Sequence, residues 1–176
     1  MKGLLSDRRI APLFWTQFLG ALNDNLFKNA LAILVTYRAM RLGSLGPESL
    51  VALSSGLFIL PFFLFSATAG QISDKYPKAQ ILRATKLAEI VIVVAASVAL
   101  YVGYLPGLLA ILFFLGLQAA FFGPAKYSIL PELLTPAELV GGNAVIETGT
   151  FLAILAGTIL GGILIAENAT LVLAAV

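Results

Sequence analysis

The fold of this chain is decided by residues 12–37, which read PLFWTQFLGALNDNLFKNALAILVTY. The stretch is long and apolar enough to cross a bilayer, yet its middle carries Asn23, Asp24, Asn25 and Lys28. An ionisable side chain at membrane depth costs roughly 2.5 kcal/mol or more, so such residues usually face a bundle interior or a watery cavity and mark a substrate or ion path. The stretch therefore indicates a membrane helix that takes part in transport.

The composition excludes an ordinary soluble domain. Of the 176 residues, 60% are hydrophobic and 11% are charged, whereas soluble domains have about 25% charged residues. The sequence contains no cysteine and no histidine, which removes thiolate chemistry, the usual general base and the commonest metal ligand. We therefore expect no enzyme activity, cofactor or metal site in this chain. Its basic residues lie in short loops, which argues against nucleic acid as a partner.

Apolar runs between charged or Pro/Gly-rich breaks predict an all-α, polytopic helical bundle over residues 1–176. The expected spans are 12–37, 50–72, 80–101, 105–123 and 143–166. A sixth run begins near Ala169 and stops at Val176, well short of the length that crosses a bilayer. We therefore expect the natural protein to continue beyond this chain.

The basic residues predict the orientation of these spans. Eight lie before the first span, around the second-to-third connection or after the fourth span: Lys2, Arg8, Arg9, Lys75, Lys78, Arg83, Lys86 and Lys126. The opposite ends hold only Arg38 and Arg41. Because positive charge collects in cytoplasmic loops, the amino terminus is expected in the cytoplasm.

One face of the first span is polar. On an α-helix, Gln17, Asp24 and Lys28 fall within an arc of roughly 40°. Asp24 and Lys28 are four residues apart, close enough to pair. The face either lines a substrate or ion path, together with Asn23, or carries a neutralised pair that joins helices. We favour the path because three consecutive polar residues exceed what packing requires.

Two further acids lie inside predicted spans. Glu147 follows Asn143 by four residues near the cytoplasmic end of the fifth span. It either carries a coupling proton or sodium ion, or receives a cationic head group, or caps or pairs at a helix end, and the sequence leaves these alternatives open. Glu89, close to Arg83 and Lys86, is expected to form a local charge pair at the cytoplasmic rim.

Small residues and prolines shape the remaining spans. The fifth span has a small residue at every fourth position, a ridge that allows close helix packing: Gly149, Ala153, Gly157 and Gly161. The second and fourth spans contain Pro61 and Gln118, and the fourth is expected to end at Gly123-Pro124.

The turn after the second span resembles the signature loop of the major facilitator superfamily. Residues 70–78 read GQISDKYPK, with Pro77 and Ala79 in place of the second glycine and the last basic residue of the signature. The resemblance implies a conformational latch at the helix ends, formed by Gly70, Asp74, Lys75 and Lys78.

Longer stretches resemble the bacterial lysophospholipid transporter branch of that superfamily. They are TQFLGALNDN at 16–25, FGPAKYSIL at 122–130 and NAVIE at 143–147. The branch has glycine where Asn23 stands, and its functionally important acid falls on Asp24. The path residues that we expect are Gln17, Asn23, Asp24, Lys28, Gln118, Asn143 and Glu147.

The resemblance implies the amino-terminal half of a major facilitator fold, of about five and a half helices, interrupted within helix 6. It implies a secondary transporter that moves lysophospholipid across the bacterial inner membrane by alternating access between two bundles. The expected partners are this substrate, membrane lipids and the missing carboxy-terminal bundle, and in fusion proteins an acyltransferase and an acyl-carrier-protein ligase outside this chain. The alternatives are a small-molecule or drug transporter, and a membrane anchor that feeds a fused acyltransferase.

Overall fold

The structure, a computed structural model, describes residues 7–37 and 42–167. This part of the chain forms five α-helices: α1 (Ala11–Tyr37), α2 (Pro47–Lys75), α3 (Lys78–Val102), α4 (Leu105–Leu133) and α5 (Leu139–Glu167). The all-α prediction is confirmed. The expected start of a sixth span near Ala169 lies outside the described residues, as do Lys2, Arg38 and Arg41.

The helices are long enough to span a membrane. They contain 25 to 29 residues, which at 1.5 Å per residue is more than the hydrocarbon core of about 30 Å. Among the described helices, α2 to α5 are also apolar enough to cross a membrane. Helix α1 has a similar length but is not one of them, because it contains the polar cluster around Asp24.

The bundle has two main packing units. Helix α1 packs along α5, whereas α4 packs against both α2 and α3, and α1 touches α2. Gly157 and Gly161 bring the backbone of α5 against the α1 backbone at Leu22 and Leu26. The predicted small-residue ridge is thus confirmed as a packing surface. In α4, Gly116 allows an equally close approach by the backbone of Phe58 in α2.

The α1 and α5 contact gives a testable prediction. A Cβ atom at Gly157 would collide with the Leu22 carbonyl oxygen, whereas one at Gly162 would meet only a side-chain methyl of Ile33 at 3.6 Å. Overpacking costs about 1–3 kcal/mol, so Gly157→Ala should lower the melting temperature in detergent by roughly 3 °C or more. Gly162→Ala is the matched control and should leave it unchanged or slightly raised. Equal melting temperatures for the two variants would contradict this packing.

The fourth span was predicted too short. Helix α4 continues through Pro124 and Pro131 to Leu133, so residues 124–133 are helical and Lys126 lies inside the bundle. A proline removes one backbone hydrogen bond, but membrane helices tolerate it where neighbouring groups compensate. The Ser128 hydroxyl donates a hydrogen bond of 2.8 Å to the carbonyl of Pro124, one turn earlier in the same helix.

A polar network joins the start of α1 to the turn between α4 and α5. The Arg9 guanidinium contacts the Asp7 carboxylate at 2.6 Å and the Glu138 carboxylate at 3.2 Å, and it donates to the Leu133 carbonyl at 3.2 Å. Glu138 also accepts hydrogen bonds of 2.9 Å from the Thr135 backbone N–H and hydroxyl, as in a capping box. The network fixes the entry of α5.

This network predicts a pH dependence of stability. Hydrogen bonds from the Thr135 backbone N–H and hydroxyl, and then from Arg9, hold the pKa of Glu138 below its usual range. A group with a lowered folded-state pKa stabilises the fold above its ordinary pKa and loses that effect as the pH falls through the folded-state value. The melting-temperature difference between wild type and Glu138→Gln should therefore be largest near neutral pH and shrink below about pH 4. A difference independent of pH would contradict it.

Candidate substrate cavity

A cavity of about 390 Å³ lies among the helices, lined by residues of all five. Its walls include Phe58 and Phe62 of α2 and Phe122 of α4. Its polar lining residues come mainly from α1 and α4: Gln17, Asp24, Asn25, Lys28, Lys86, Gln118, Lys126, Tyr127 and Thr150. The structure thus brings together four predicted path residues, namely Gln17, Asp24, Lys28 and Gln118.

Several oxygen atoms of this lining have no hydrogen-bond donor. Gln17 donates through its Nε2 to the Ile146 carbonyl at 3.0 Å and to the Thr150 hydroxyl, but its Oε1 accepts nothing from the described residues. The same holds for Asp24 Oδ1 and Gln118 Oε1, although both side chains are more than nine-tenths buried. Buried acceptors without donors carry a free-energy cost. A ligand or water molecule that donated hydrogen bonds to these oxygens would remove that cost.

Asp24 and Lys28, which are spaced closely enough to pair, form no ion pair with each other in the described structure. The Lys28 ammonium instead donates to Asn25 Oδ1 at 3.0 Å and lies 5.1 Å from the ring centroid of Phe58. Asn25, three residues away on the same helix, is an equally accessible partner for a lysine. The carboxyl group of Asp24 therefore has no bonded cation among the described residues.

Lys126 is a site residue that the sequence reasoning placed outside the membrane. It is 7% exposed, and its ammonium lies 3.5 Å from Glu147 Oε1, which also accepts a hydrogen bond of 2.5 Å from the Tyr127 hydroxyl. Glu147 thus pairs at the cavity edge, whereas Lys126 and Tyr127 line the cavity. Lys126 stands only two residues after Pro124. A prediction that continued the fourth helix past this proline would have placed Lys126 inside the bundle.

Glu89 forms the predicted local charge pair, with Lys86, but the pair is buried against α1 instead of lying at the rim. The two groups are 2.5 Å apart, Glu89 is buried, and the pair lies directly over Gly20 of α1. The Lys86 ammonium also lies 4.3 Å from the ring centroid of Phe122. The pair fits between α3 and α1 because Gly20 has no side chain.

Like Glu147, the predicted path residues Asn143 and Asn23 do not line this cavity. Asn143 donates a hydrogen bond of 2.9 Å to the Leu139 carbonyl one turn earlier in α5. Asn23 lines a neighbouring cavity between α1 and α3, together with Lys86 and Glu89, and neither of its polar side-chain atoms has a partner among the described residues.

The predicted latch residues lie at the junction of α2 and α3. Gly70, Asp74 and Lys75 belong to the last turns of α2, so the connecting turn is only residues 76–77. Lys78, the first residue of α3, forms an ion pair of 3.1 Å with Glu132 near the end of α4. Asp74 is exposed and has no ion pair with a described residue.

Long apolar helices around a cavity lined by ionisable side chains define the class: an α-helical, multi-pass membrane protein with a charged internal cavity. Comparison with known families is more specific, because the model of a major facilitator family, MFS_3, described as transmembrane secretion effector, matches residues 43–175. The chain belongs to this family, as its resemblance to the superfamily predicted.

Curated relatives are lysophospholipid transporters. That of Salmonella arizonae is 33% identical over 166 residues, which are 93% of this chain and 36% of the relative. Those of Enterobacter sp. strain 638 and Escherichia coli O139:H28 are each 31% identical, over 84% and 90% of this chain and 34% and 37% of the relatives. The chain spans about a third of the length of these relatives. No solved structure matches it significantly.

Proposed function

We propose that this chain is the amino-terminal bundle of a transporter that moves lysophospholipids inward across the bacterial inner membrane by alternating access. The observation that carries the proposal is the charge distribution of the cavity, where Asp24 shares a mostly apolar enclosure with Lys28, Lys86 and Lys126. Ionisable groups held in membrane helices mark substrate paths. The names of the similar proteins point to the same substrate class.

The cavity chemistry fits a head group that carries both signs of charge. Lysine ammonium groups are suitable ligands for phosphate, and the cavity lining contains three of them. Asp24 is the only acid in that lining, and its Oδ1 has no donor among the described residues. We therefore assign the phosphate to the lysines and the amine of an ethanolamine head group to Asp24.

The proposed orientation has the amino terminus in the cytoplasm. Arg9 contacts the turn between α4 and α5, and Lys78 at the turn between α2 and α3 contacts Glu132 near the end of α4. These contacts gather the basic residues Arg8, Arg9, Lys75 and Lys78 at one end of the bundle. Such an end is cytoplasmic by the positive-inside rule, which supports the proposed topology.

Competition in spheroplasts tests the proposed substrate. Cells that carry the intact gene should take up labelled lysophosphatidylethanolamine, and cells that lack it should not. Unlabelled lysophospholipids should compete with this uptake, whereas soluble cationic drugs in equal amount should not. Competition by the drugs alone would favour the alternative small-molecule transporter. Uptake that does not depend on the gene would contradict the proposal and would favour the membrane-anchor alternative.

A further inference from the structure

A second cavity, which we name the α3–α4 groove, has a volume of about 610 Å³ and lies between those helices. Its lining includes Ala84 and Ala88 of α3 and Leu117 of α4, and apart from Thr85 and Gln118 it is apolar. The Thr85 hydroxyl is satisfied within its own helix, because it donates to the Ile81 carbonyl at 2.9 Å. Since Ala84 and Ala88 are exposed on the outside of the described bundle, the groove opens to the outer surface of these helices.

Gln118 lies between this groove and the substrate cavity. Its side chain belongs to the lining of both spaces, so the apolar groove and the charged cavity meet at this residue. Gln118 is 6% exposed, and its Oε1 has no donor among the described residues. An unpaired, buried carboxamide oxygen is stabilised by a hydroxyl that donates to it.

We propose that the α3–α4 groove holds the acyl chain of the transported lysophospholipid and that Gln118 accepts a hydrogen bond from its free glycerol hydroxyl. This inference rests on the proposed function. With the head group in the cavity and the chain in the groove, the glycerol lies between them, at Gln118. A lipid with two acyl chains has an ester in place of that hydroxyl and offers no donor. Gln118 is then a residue that selects one-chain lipids, because a site built for a hydroxyl discriminates against analogues without it.

Ligand analogues test the role of Gln118 in the detergent-solubilised protein, expressed from its intact gene. Wild type should bind lysophosphatidylethanolamine about fivefold more tightly than the analogue in which hydrogen replaces the glycerol hydroxyl, the range expected for one hydrogen bond. Gln118→Leu should bind the two ligands equally. If Gln118→Leu keeps the wild-type preference for the hydroxyl, the assignment of Gln118 is overturned.

A matched pair of tryptophan substitutions tests the groove. Ala88 lines the groove, whereas Ala95, also exposed on α3, does not. Ala88→Trp should weaken binding of a 16-carbon lysophosphatidylethanolamine about tenfold and leave binding of glycerophosphoethanolamine, which has no acyl chain, unchanged. Ala95→Trp should leave both affinities at the wild-type values. Equal affinities in the two variants for the long-chain ligand would overturn the groove assignment.

The two proposals fail in different ways. If wild type binds neither ligand, the proposed function fails, and this inference fails with it. If wild type binds lysophospholipid while Gln118→Leu and Ala88→Trp both behave as wild type, only the inference is overturned. Melting temperatures of all variants, measured in the same detergent, separate loss of a contact from loss of the fold.

Discussion

Asp24→Asn is expected to abolish uptake of lysophosphatidylethanolamine, with a fall of at least tenfold at unchanged protein level. The substitution keeps the size of the side chain and removes the only carboxyl group that the described residues contribute to the cavity lining. Loss of one charge-assisted contact, worth about 1.5–3 kcal/mol, corresponds to a loss of tenfold or more. Spheroplast uptake of the labelled lipid is the measurement.

Two variants make this result specific to the charge in the cavity. Asp24→Glu keeps the carboxylate and should retain measurable uptake. Glu48→Gln removes an exposed acid at the start of α2 and should transport as wild type. Normal uptake by Asp24→Asn would reject the assignment of this residue to the substrate path, although the fold would stand.

Lys126→Gln is the second substitution with a large expected effect, again a loss of at least tenfold in uptake. It removes a lysine from the cavity lining and leaves Glu147, its partner at 3.5 Å, without a cation. Removing one member of a partly buried pair is costly because the other charge remains unpaired. Arg83→Gln, at an exposed basic position of α3, is the control and should have no effect.

A charge exchange separates a structural role of Lys126 from a role in binding. The double variant Lys126→Glu with Glu147→Lys restores opposite charges, so its melting temperature should recover relative to Lys126→Glu alone. Uptake should not recover, because position 147 lies outside the cavity lining. Recovery of both stability and uptake would show that Lys126 acts through the ion pair only.

The spans could be predicted because apolar runs of membrane length are a local property of the sequence. Helices α1 and α3 end within two residues of the predicted bounds. The error at α4 arose from Pro124, which ends helices in soluble proteins but is tolerated in a membrane bundle. That error removed Lys126 from the candidate site. The ridge on α5 was predicted correctly because its spacing of four residues indicates a packing face by itself.

The side-chain partners could not be predicted from spacing alone. Asp24 and Lys28 have the separation of a helical ion pair, yet the Lys28 ammonium donates its hydrogen bond to Asn25. Glu89 was assigned to the rim from its neighbours in sequence, whereas its position depends on Gly20 of another helix. Contacts between helices determine these partners. A single sequence does not show which residues of different helices meet, such as Gly20 and the pair of Lys86 and Glu89.

Cysteine accessibility tests the central claim, that a hydrated cavity inside the bundle binds lysophospholipid. The chain contains no cysteine, so a single substitution introduces one thiol into this chain. Ala119→Cys places the thiol in the cavity lining, and Ala95→Cys places it on the exposed side of α3. A water-soluble maleimide should label position 119 and not position 95, and lysophosphatidylethanolamine should slow the labelling at 119 about tenfold. If position 119 stays unlabelled throughout active transport, or is labelled at the same rate with and without the lipid, the account is wrong.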